Sequence, residues 1–407
     1  MSGALPGVGV FGTGSITYAT VPYLKNLGYR IEALWGRNRE EAELTSTELG
    51  IPFFTDKIDD VLLRRDVDLV LIFCPPFHHS QIAVKALGIG KHVCVQSPGG
   101  LNQSEALRMV QAAQYYPSLY SVLIRGLRFL PCFQLMKREI SDGYLGKGIS
   151  LIDVRLDLRR PLNSTYSWSC DESMGGGTSS QYGSHLVDLL YFLTGGQRAQ
   201  RIHGVVRTLD RTTESINGIR QISADDFSSF QMEMSNGIFA NVVINGQAGT
   251  FYQEVRISGP EGYLIARNGE LSGFRCGQKK EEILLSDPEN DNDSIYGLHL
   301  LPRMYIDGIR LMFHHLAQSF RNGEKTVGNG GSGGFNPGVG YTSFEDALYV
   351  HAVIEAVKRS SKDKSWTKVM ISELEDVIFD PLIPSSLNSN TSNHHRHLLN
   401  SSIYSFS

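Results

Sequence analysis

The sequence predicts an α/β protein with an N-terminal Rossmann domain and a C-terminal α+β domain that carries an open, mainly antiparallel sheet. Three observations predict it. Up to about residue 125, short apolar runs alternate with amphipathic stretches, as parallel strands alternate with crossover helices. The first run leads straight into Gly12-Thr13-Gly14 and a helical stretch. From residue 202 to 285 strand signals dominate, with Asn236-Gly237 and Pro260-Glu261-Gly262 as turns.

In chain order, strands are expected at 8–11, 31–35, 67–74, 92–96 and 120–124. Helical spacing falls between them at 17–27, 39–49, 58–64, 79–87 and 103–115. After Arg128-Phe129-Leu130-Pro131 a helix runs to residue 140. An apolar helix over 180–193 is closed by Gly195-Gly196. Residues 328–340 are so rich in glycine that they read as a mobile loop, and 344–360 returns to helix. The tail 384–407 is mostly Ser, Asn and His and cannot bury enough surface to offset its ordering entropy, so disorder is expected there. The division that follows is 1–127, 128–370 and the tail.

Composition removes several functions. Lys and Arg number 38 against 42 Asp and Glu, so no basic field exists to attract nucleic acid or an anionic membrane surface. No apolar run reaches the ~18 residues of a membrane span. The N-terminus meets its first basic side chain at Lys25 and lacks the charged start of a signal peptide, so a cytoplasmic protein is expected, with secretion left open. Cys74, Cys94, Cys132, Cys170 and Cys276 are odd in number and widely spaced, which fits reduced, packed thiols better than disulfides or a zinc site. His394, His395 and His397 in the tail are read as an incidental cluster, and no metal is expected.

The glycine turn points to a dinucleotide. Gly12 makes the tight turn, and Gly14 lets a pyrophosphate approach the backbone at the helix N-terminus, beside Thr13, Ser15 and Ile16. Thr17 stands where a third glycine or alanine is usual. A tight strand-to-helix turn with no ligand is the alternative. The second strand ends in Gly36-Arg37-Asn38, without the acid that would hold both ribose hydroxyls of NAD. An arginine there favours NADP over NAD, with NAD still possible; a solvated loop charge is the bland reading of Arg37.

At this point the chain resembles the Gfo/Idh/MocA oxidoreductase family. The resemblance rests on residues 8–14, Ala33-Leu34-Trp35-Gly36-Arg37, 75–79, Gly90-Lys91-His92-Val93, 128–131, and Gly175-Gly176-Gly177 leading to His185 and Asp188. Tyr166-Ser167-Trp168-Ser169-Cys170-Asp171 points to its animal glucose-fructose oxidoreductase domain-containing subgroup. The resemblance implies hydride chemistry on sugars or cyclitols in a crevice between domains, with dimerisation through the open sheet. It also places Pro75, His79 and Gln96 along the cofactor.

Two departures bear on activity. Active members look like Glu-Lys-Pro where this chain has Gln96-Ser97-Pro98, so the ammonium that would stabilise an alkoxide is replaced by a hydroxyl. They look like Asp-x-x-x-His where this chain has Gln181 and His185, so the base is kept and its acidic neighbour is neutral. His185 is open to three readings: catalyst, substrate-binding imidazole or packed core residue. Arg125 and Arg128 are cations near the crevice, with a structural tie as the alternative for Arg128. The expected function is a nicotinamide-dinucleotide-binding protein with weak or absent dehydrogenase activity. The alternatives are an active NADP-dependent dehydrogenase acting through His185 on a sugar, cyclitol, diol or other small polar molecule, and a dimeric scaffold that needs no cofactor. A homodimer is expected from the sheet face spanning 226–285, the region of Phe227, Phe230, Phe239 and Val243.

Overall fold

Parallel strands covered on both faces are buried along their length, and in the first lobe the central strands Gly7–Phe11 and Leu69–Ile72 have that character throughout. The computed structural model describes residues 4–159, 166–209, 211, 221–286, 302–323 and 340–372. All belong to one unit that ends at Ser372. The glycine-rich stretch 328–339 and the tail with its three histidines lie outside the described residues.

Strands β1 (Gly7–Phe11), β2 (Arg30–Trp35), β3 (Phe54–Thr55), β4 (Leu69–Ile72), β5 (His92–Gln96) and β6 (Ser121–Ile124) pair in parallel in the order 6-5-4-1-2-3. Helices α1 (Ser15–Leu27), α2 (Arg39–Leu49), α3 (Ile58–Leu62), α4 (His79–Gly88) and α5 (Gln103–Tyr115) connect them. Strand order reverses between β1 and β4. Ligands of open α/β sheets bind outside the carboxyl ends of the strands at such a switch point, and the glycine turn after β1 opens there.

The second lobe begins with α6 (Pro131–Ser141), β7 (Leu151–Arg159) and α7 (Ser184–Leu193). Its sheet continues through β8 (Ala199–Arg207), β9 (Phe227–Met234), β10 (Phe239–Asn245), β11 (Gln247–Gly259), β12 (Gly262–Arg267), β13 (Glu270–Arg275) and β14 (Glu282–Leu285). Neighbouring strands are antiparallel except β7 and β10, as expected of a mainly antiparallel sheet. One face packs Leu156, Phe230, Met232, Val242 and Ile257 against Phe133 of α6 and Leu186 and Leu190 of α7. Phe227, Phe239 and Val243 stand on the other face, only partly covered. Phe230 is corrected by this alternation: it is core, and cannot belong to an interface on the open side.

The chain then returns to the first lobe, which the sequence division at 127/128 does not foresee. Helix α8 (Arg303–Asn322) places Ile309, Met312, Phe313 and Leu316 in the core beneath β1 and β4. Gly126 and Gly308 let its backbone touch the turn after β6; a Cβ on Gly308 would lie 2.5 Å from the Gly126 carbonyl oxygen. Strand β15 (Thr342–Ser343) adds to β6 antiparallel and leads into α9 (Phe344–Asp363), capped by a reciprocal Ser343–Asp346 pair. Strand β16 (Thr367–Lys368) closes the second sheet beside β8. Among the described residues no helix is long and apolar enough to cross a membrane. The four cysteines within elements and turns of the core are buried and free, while free Cys276 is exposed.

Candidate functional site: a glycine turn and an inter-lobe crevice

The turn after β1 is shaped by close backbone approach. Gly12 has φ +134°, and a Cβ there would lie 2.9 Å from the Cys74 nitrogen at the end of the β4 segment. Gly14 differs, since nothing lies within 4 Å of its would-be Cβ. It is the N-cap of α1, with no side-chain cap and no acid in the first turn. An uncapped helix N-terminus facing open space fits an anionic phosphate. Thr17 costs the turn nothing, because its hydroxyl donates to the Gly12 carbonyl at 2.8 Å. Ile16 packs into the core, so only its main chain faces the turn, while Ser15 is half-exposed.

The neighbouring candidates divide. Gly36 is required by contact, its would-be Cβ being 2.7 Å from Thr13 Cγ2. Arg37 is exposed beside it. The Asn38 side chain accepts from the Glu40 amide at 2.9 Å and caps α2, which occupies its oxygen. Pro75 begins the short turn 76–78 that leads into α4. Gln96 ends β5, half-exposed.

His79 is placed differently from the expectation that it lines the cofactor. It is 1% exposed. Its Nδ1 accepts from the Gly100 amide at 3.3 Å, so the proton sits on Nε2 and is donated to the Cys74 carbonyl at 2.7 Å. Both ring nitrogens are thereby engaged by main chain. Burial pushes this imidazole down to about 4, outweighing its carbonyl partner. His351 on α9 approaches the same loop, with Nε2 3.2 Å from the Gly99 carbonyl, and is likewise pushed down to about 4 by burial.

Where the lobes meet, a buried carboxylate gathers the charges. Asp188 on α7 receives Nε and Nη2 of Arg128 at 2.8 and 2.6 Å, Nη1 of Arg125 at 3.1 Å and the Thr342 hydroxyl at 3.2 Å. Burial would raise this carboxyl, but Arg128 and Arg125 prevail and hold it below its ordinary range. Arg128 also reaches Asp346 at 3.4 Å, at the start of α9. Arg128 is thus the inter-lobe tie, and Arg125, 1% exposed, is spent on the same network.

Ser97 belongs to this network as well. Arg125 Nε donates to its Oγ at 3.3 Å, and that Oγ is 2.8 Å from Ser184 Oγ. Ser184 donates to the Gln181 carbonyl at 3.2 Å. Guanidinium only donates, so Ser97 Oγ is an acceptor for Arg125 and shares one further hydrogen bond with Ser184 Oγ.

The segment that carries Gln181 and His185 is held by glycines and one acid that sequence reasoning passed over. A Cβ on Gly175 would lie 2.8 Å from Pro76, and one on Gly177 2.3 Å from Asp225 Oδ1. Asp225 accepts from the Thr178 hydroxyl and from both the amide and hydroxyl of Ser179 at 2.7 to 2.8 Å. Its only sequence signal is its place before the β9 run. Residues 179–183 then form a π-helical turn before α7, where an α-helix from 180 was expected. Hydrogen bonds of that wider turn run i→i+5. The His185 ring meets Tyr305 of α8 edge-on at 5.3 Å, and its Nδ1 is buried without a partner among the described residues. Burial and then the Arg125 charge push it down to about 3, so it is neutral at physiological pH. Tyr305 in turn donates to Gln253 Oε1 at 2.9 Å. Among the described residues no three potential ligands cluster as a metal site.

Comparison with known proteins follows the same two lobes. A model described as "Oxidoreductase family, NAD-binding Rossmann fold" (GFO_IDH_MocA) matches residues 7–123. One described as "GFO/IDH/MocA C-terminal domain" matches residues 133–265. Glucose-fructose oxidoreductase domain-containing protein 2 of Xenopus laevis is 42% identical over 375 residues, covering 91% of this chain and 95% of that protein. Domain-containing protein 1 of Mus musculus is 40% identical over 373 residues, with coverages of 90% and 93%. Among solved structures, levoglucosan dehydrogenase in complex with NADH and L-sorbose is similar with a TM-score of 0.74 at 21% identity, covering 90% of this chain and 99% of that one. The WlbA dehydrogenase of Bordetella pertussis, in complex with NADH and UDP-GlcNAcA, gives 0.69 at 18% identity, with coverages of 90% and 100%.

Three buried histidines, His79, His351 and His185, set a pH dependence of stability. Their folded values, near 4 for His79 and His351 and near 3 for His185, lie below the ordinary 6.5, so the unfolded chain binds more protons between those limits. Stability present above about pH 6.5 is lost as pH falls towards about 4 and, for His185, about 3. His79→Gln keeps a donor and an acceptor without titrating and should flatten part of this loss. Melting temperatures at about pH 8 and pH 5 measure it, and equal declines in both proteins would remove His79 from the effect.

Proposed function

Because the chain belongs to the Gfo/Idh/MocA oxidoreductase family, we propose that it binds NADP(H), with NAD(H) as the weaker partner, and dehydrogenates sugars or cyclitols slowly or not at all. When bound, the nicotinamide supplies the hydride acceptor. Gly12, Gly14 and the amides opening α1 would hold the pyrophosphate, and Arg37 the adenosine side. The absence of an acid at the end of β2 supports the preference for NADP(H).

The observation that carries the low activity is the hydrogen-bond chain at Ser97. Removing hydride from a carbinol leaves charge developing on its oxygen, which needs a free donor or cation. Here Ser97 Oγ is tied to both Arg125 and Ser184, and Arg125 is buried on Asp188 and the Pro98 carbonyl. His185 is the remaining candidate base. A group titrating near 3 accepts a proton poorly at neutral pH, where the best general bases are matched to the medium.

A second reading, a working dehydrogenase, is favoured by one feature: His185 is neutral and its Nδ1 has no partner among the described residues. Nicotinamide absorbance separates the two readings. With either cofactor and a panel of polyols, aldoses and diols, the wild type should show turnover at background level. Rapid turnover that His185→Ala abolishes would establish the second reading.

Gly14→Val tests the nucleotide site cleanly. Space exists for the new side chain, so the unliganded melting temperature should be nearly unchanged. The melting shift caused by NADPH should vanish, since the branch fills the phosphate position. An equal shift in both proteins would refute the assignment.

The same reading includes a homodimer through the open sheet face. Phe239 and Val243 stand there beside Asn241, Asp153 and Arg155, a mixture of apolar and charged groups suited to a self-complementary contact. Light scattering at micromolar concentration should give twice the chain mass; a monomer would exclude it.

A further inference from the structure

We propose that His78 acts with Arg37 as the subsite for the adenosine 2′ position of the dinucleotide, taking a phosphomonoester there. This rests on the reading that the turn after β1 holds a nicotinamide dinucleotide. His78 was passed over at the sequence level in favour of His79, and the structure exchanges their roles.

The placement follows from the sheet. Strands β2 and β4 flank β1, so residues just past their carboxyl ends flank the turn that leaves it. Arg37 follows Gly36, which abuts Thr13 of that turn. His78 closes the short turn 76–78 after β4. The two segments meet through Trp35: its main-chain carbonyl accepts from the Gly12 amide at 2.9 Å, and its indole meets the His78 ring edge-on at 5.4 Å. The indole N–H is already used on the Asp56 carbonyl at 3.0 Å, so Trp35 serves as a wall.

Both polar groups have unused capacity. Arg37 is exposed and has no carboxylate partner among the described residues. His78 Nε2 is sealed from solvent, also without a partner among the described residues. The cheaper tautomer leaves a bare lone pair at Nε2 and carries the hydrogen on Nδ1, which makes Nδ1–H the donor available to a ligand. Burial and the Arg37 charge keep the ring neutral. A phosphomonoester offers three acceptor oxygens, enough for a guanidinium fork and a neutral N–H together. A ribose hydroxyl offers one oxygen and no charge, so the pair would discriminate.

One nearby group opposes an anion. Glu41 lies in the first turn of α2, with its carboxylate 3.5 Å from the Thr13 hydroxyl, and could instead meet a ribose hydroxyl. The 2′-phosphate is favoured because Arg37 and His78 supply two donors against one carboxylate.

Calorimetric titration of the full chain with 2′,5′-ADP and with 5′-AMP, which differ only by the 2′-phosphate, decides it. The wild type should bind 2′,5′-ADP about tenfold tighter or better. Arg37→Ala and His78→Leu should each remove most of that preference and leave 5′-AMP binding nearly unchanged. His78→Gln, which keeps an N–H donor, should retain part of it, a rescue that a merely packed histidine would not require. An intact preference in His78→Leu overturns the role of His78. Equal wild-type affinities, or tighter binding of 5′-AMP, overturn the 2′-phosphate subsite while the dinucleotide reading stands. If neither nucleotide binds the wild type, the dinucleotide reading itself fails.

Discussion

The Asp188 carboxylate, held between Arg128 and Arg125, is the contact on which the candidate site depends. Its partners come from the turn after β6, from β15 and, through Arg128, from the cap of α9. These segments are far apart in sequence and belong to both lobes. A carboxylate so deeply buried is tolerable only while its cations remain, and removing one partner of such a pair typically costs about 3 to 5 kcal/mol. The crevice is therefore built on a charge cluster that fixes α7 against the Rossmann sheet.

Ser97 belongs to that cluster. A lysine at position 97 would stand beside the Arg125 guanidinium, which donates to Ser97. Serine instead supplies an acceptor for Arg125 and a hydrogen-bond partner for Ser184, so the position is a strut between β5 and α7. His185 follows from the same arrangement. Sitting one residue from Ser184 and near Arg125, it feels burial and a like charge at once, and both favour the neutral ring. The nucleotide turn lies outside the cluster, and its open space at Gly14 is intact.

Much of the fold was legible because its signals are local. The runs at 8–11, 92–96 and 103–115 carry their period in the residues themselves, and each element appears within a residue of the expected bounds. Strands β3 and β15, two residues each, have no period to read. Helix α8 was missed although Ile309, Met312, Phe313 and Leu316 recur at helical spacing, because nothing local says that a helix after the second sheet returns to the first lobe. The π-turn at 179–183 was equally hidden: its start is held by Asp225, 46 residues downstream of Ser179. The candidate site was legible as a set of positions, and much less so as a set of bonds.

The two adjacent histidines after β4 show the limit most directly. Both fall in the 75–79 segment on which the family resemblance rests, and the resemblance places only the second along the cofactor. What separates them is that His79 opens α4 and turns inward, where Cys74 and Gly100 satisfy both nitrogens. His78 ends the preceding turn and lies against Trp35, with hydrogen-bonding capacity left over. A satisfied imidazole is architecture, whereas one left without a partner among the described residues is where a ligand contact is proposed. The distinction is one of hydrogen-bond accounting, and it needs the backbone of two separate loops before it can be made.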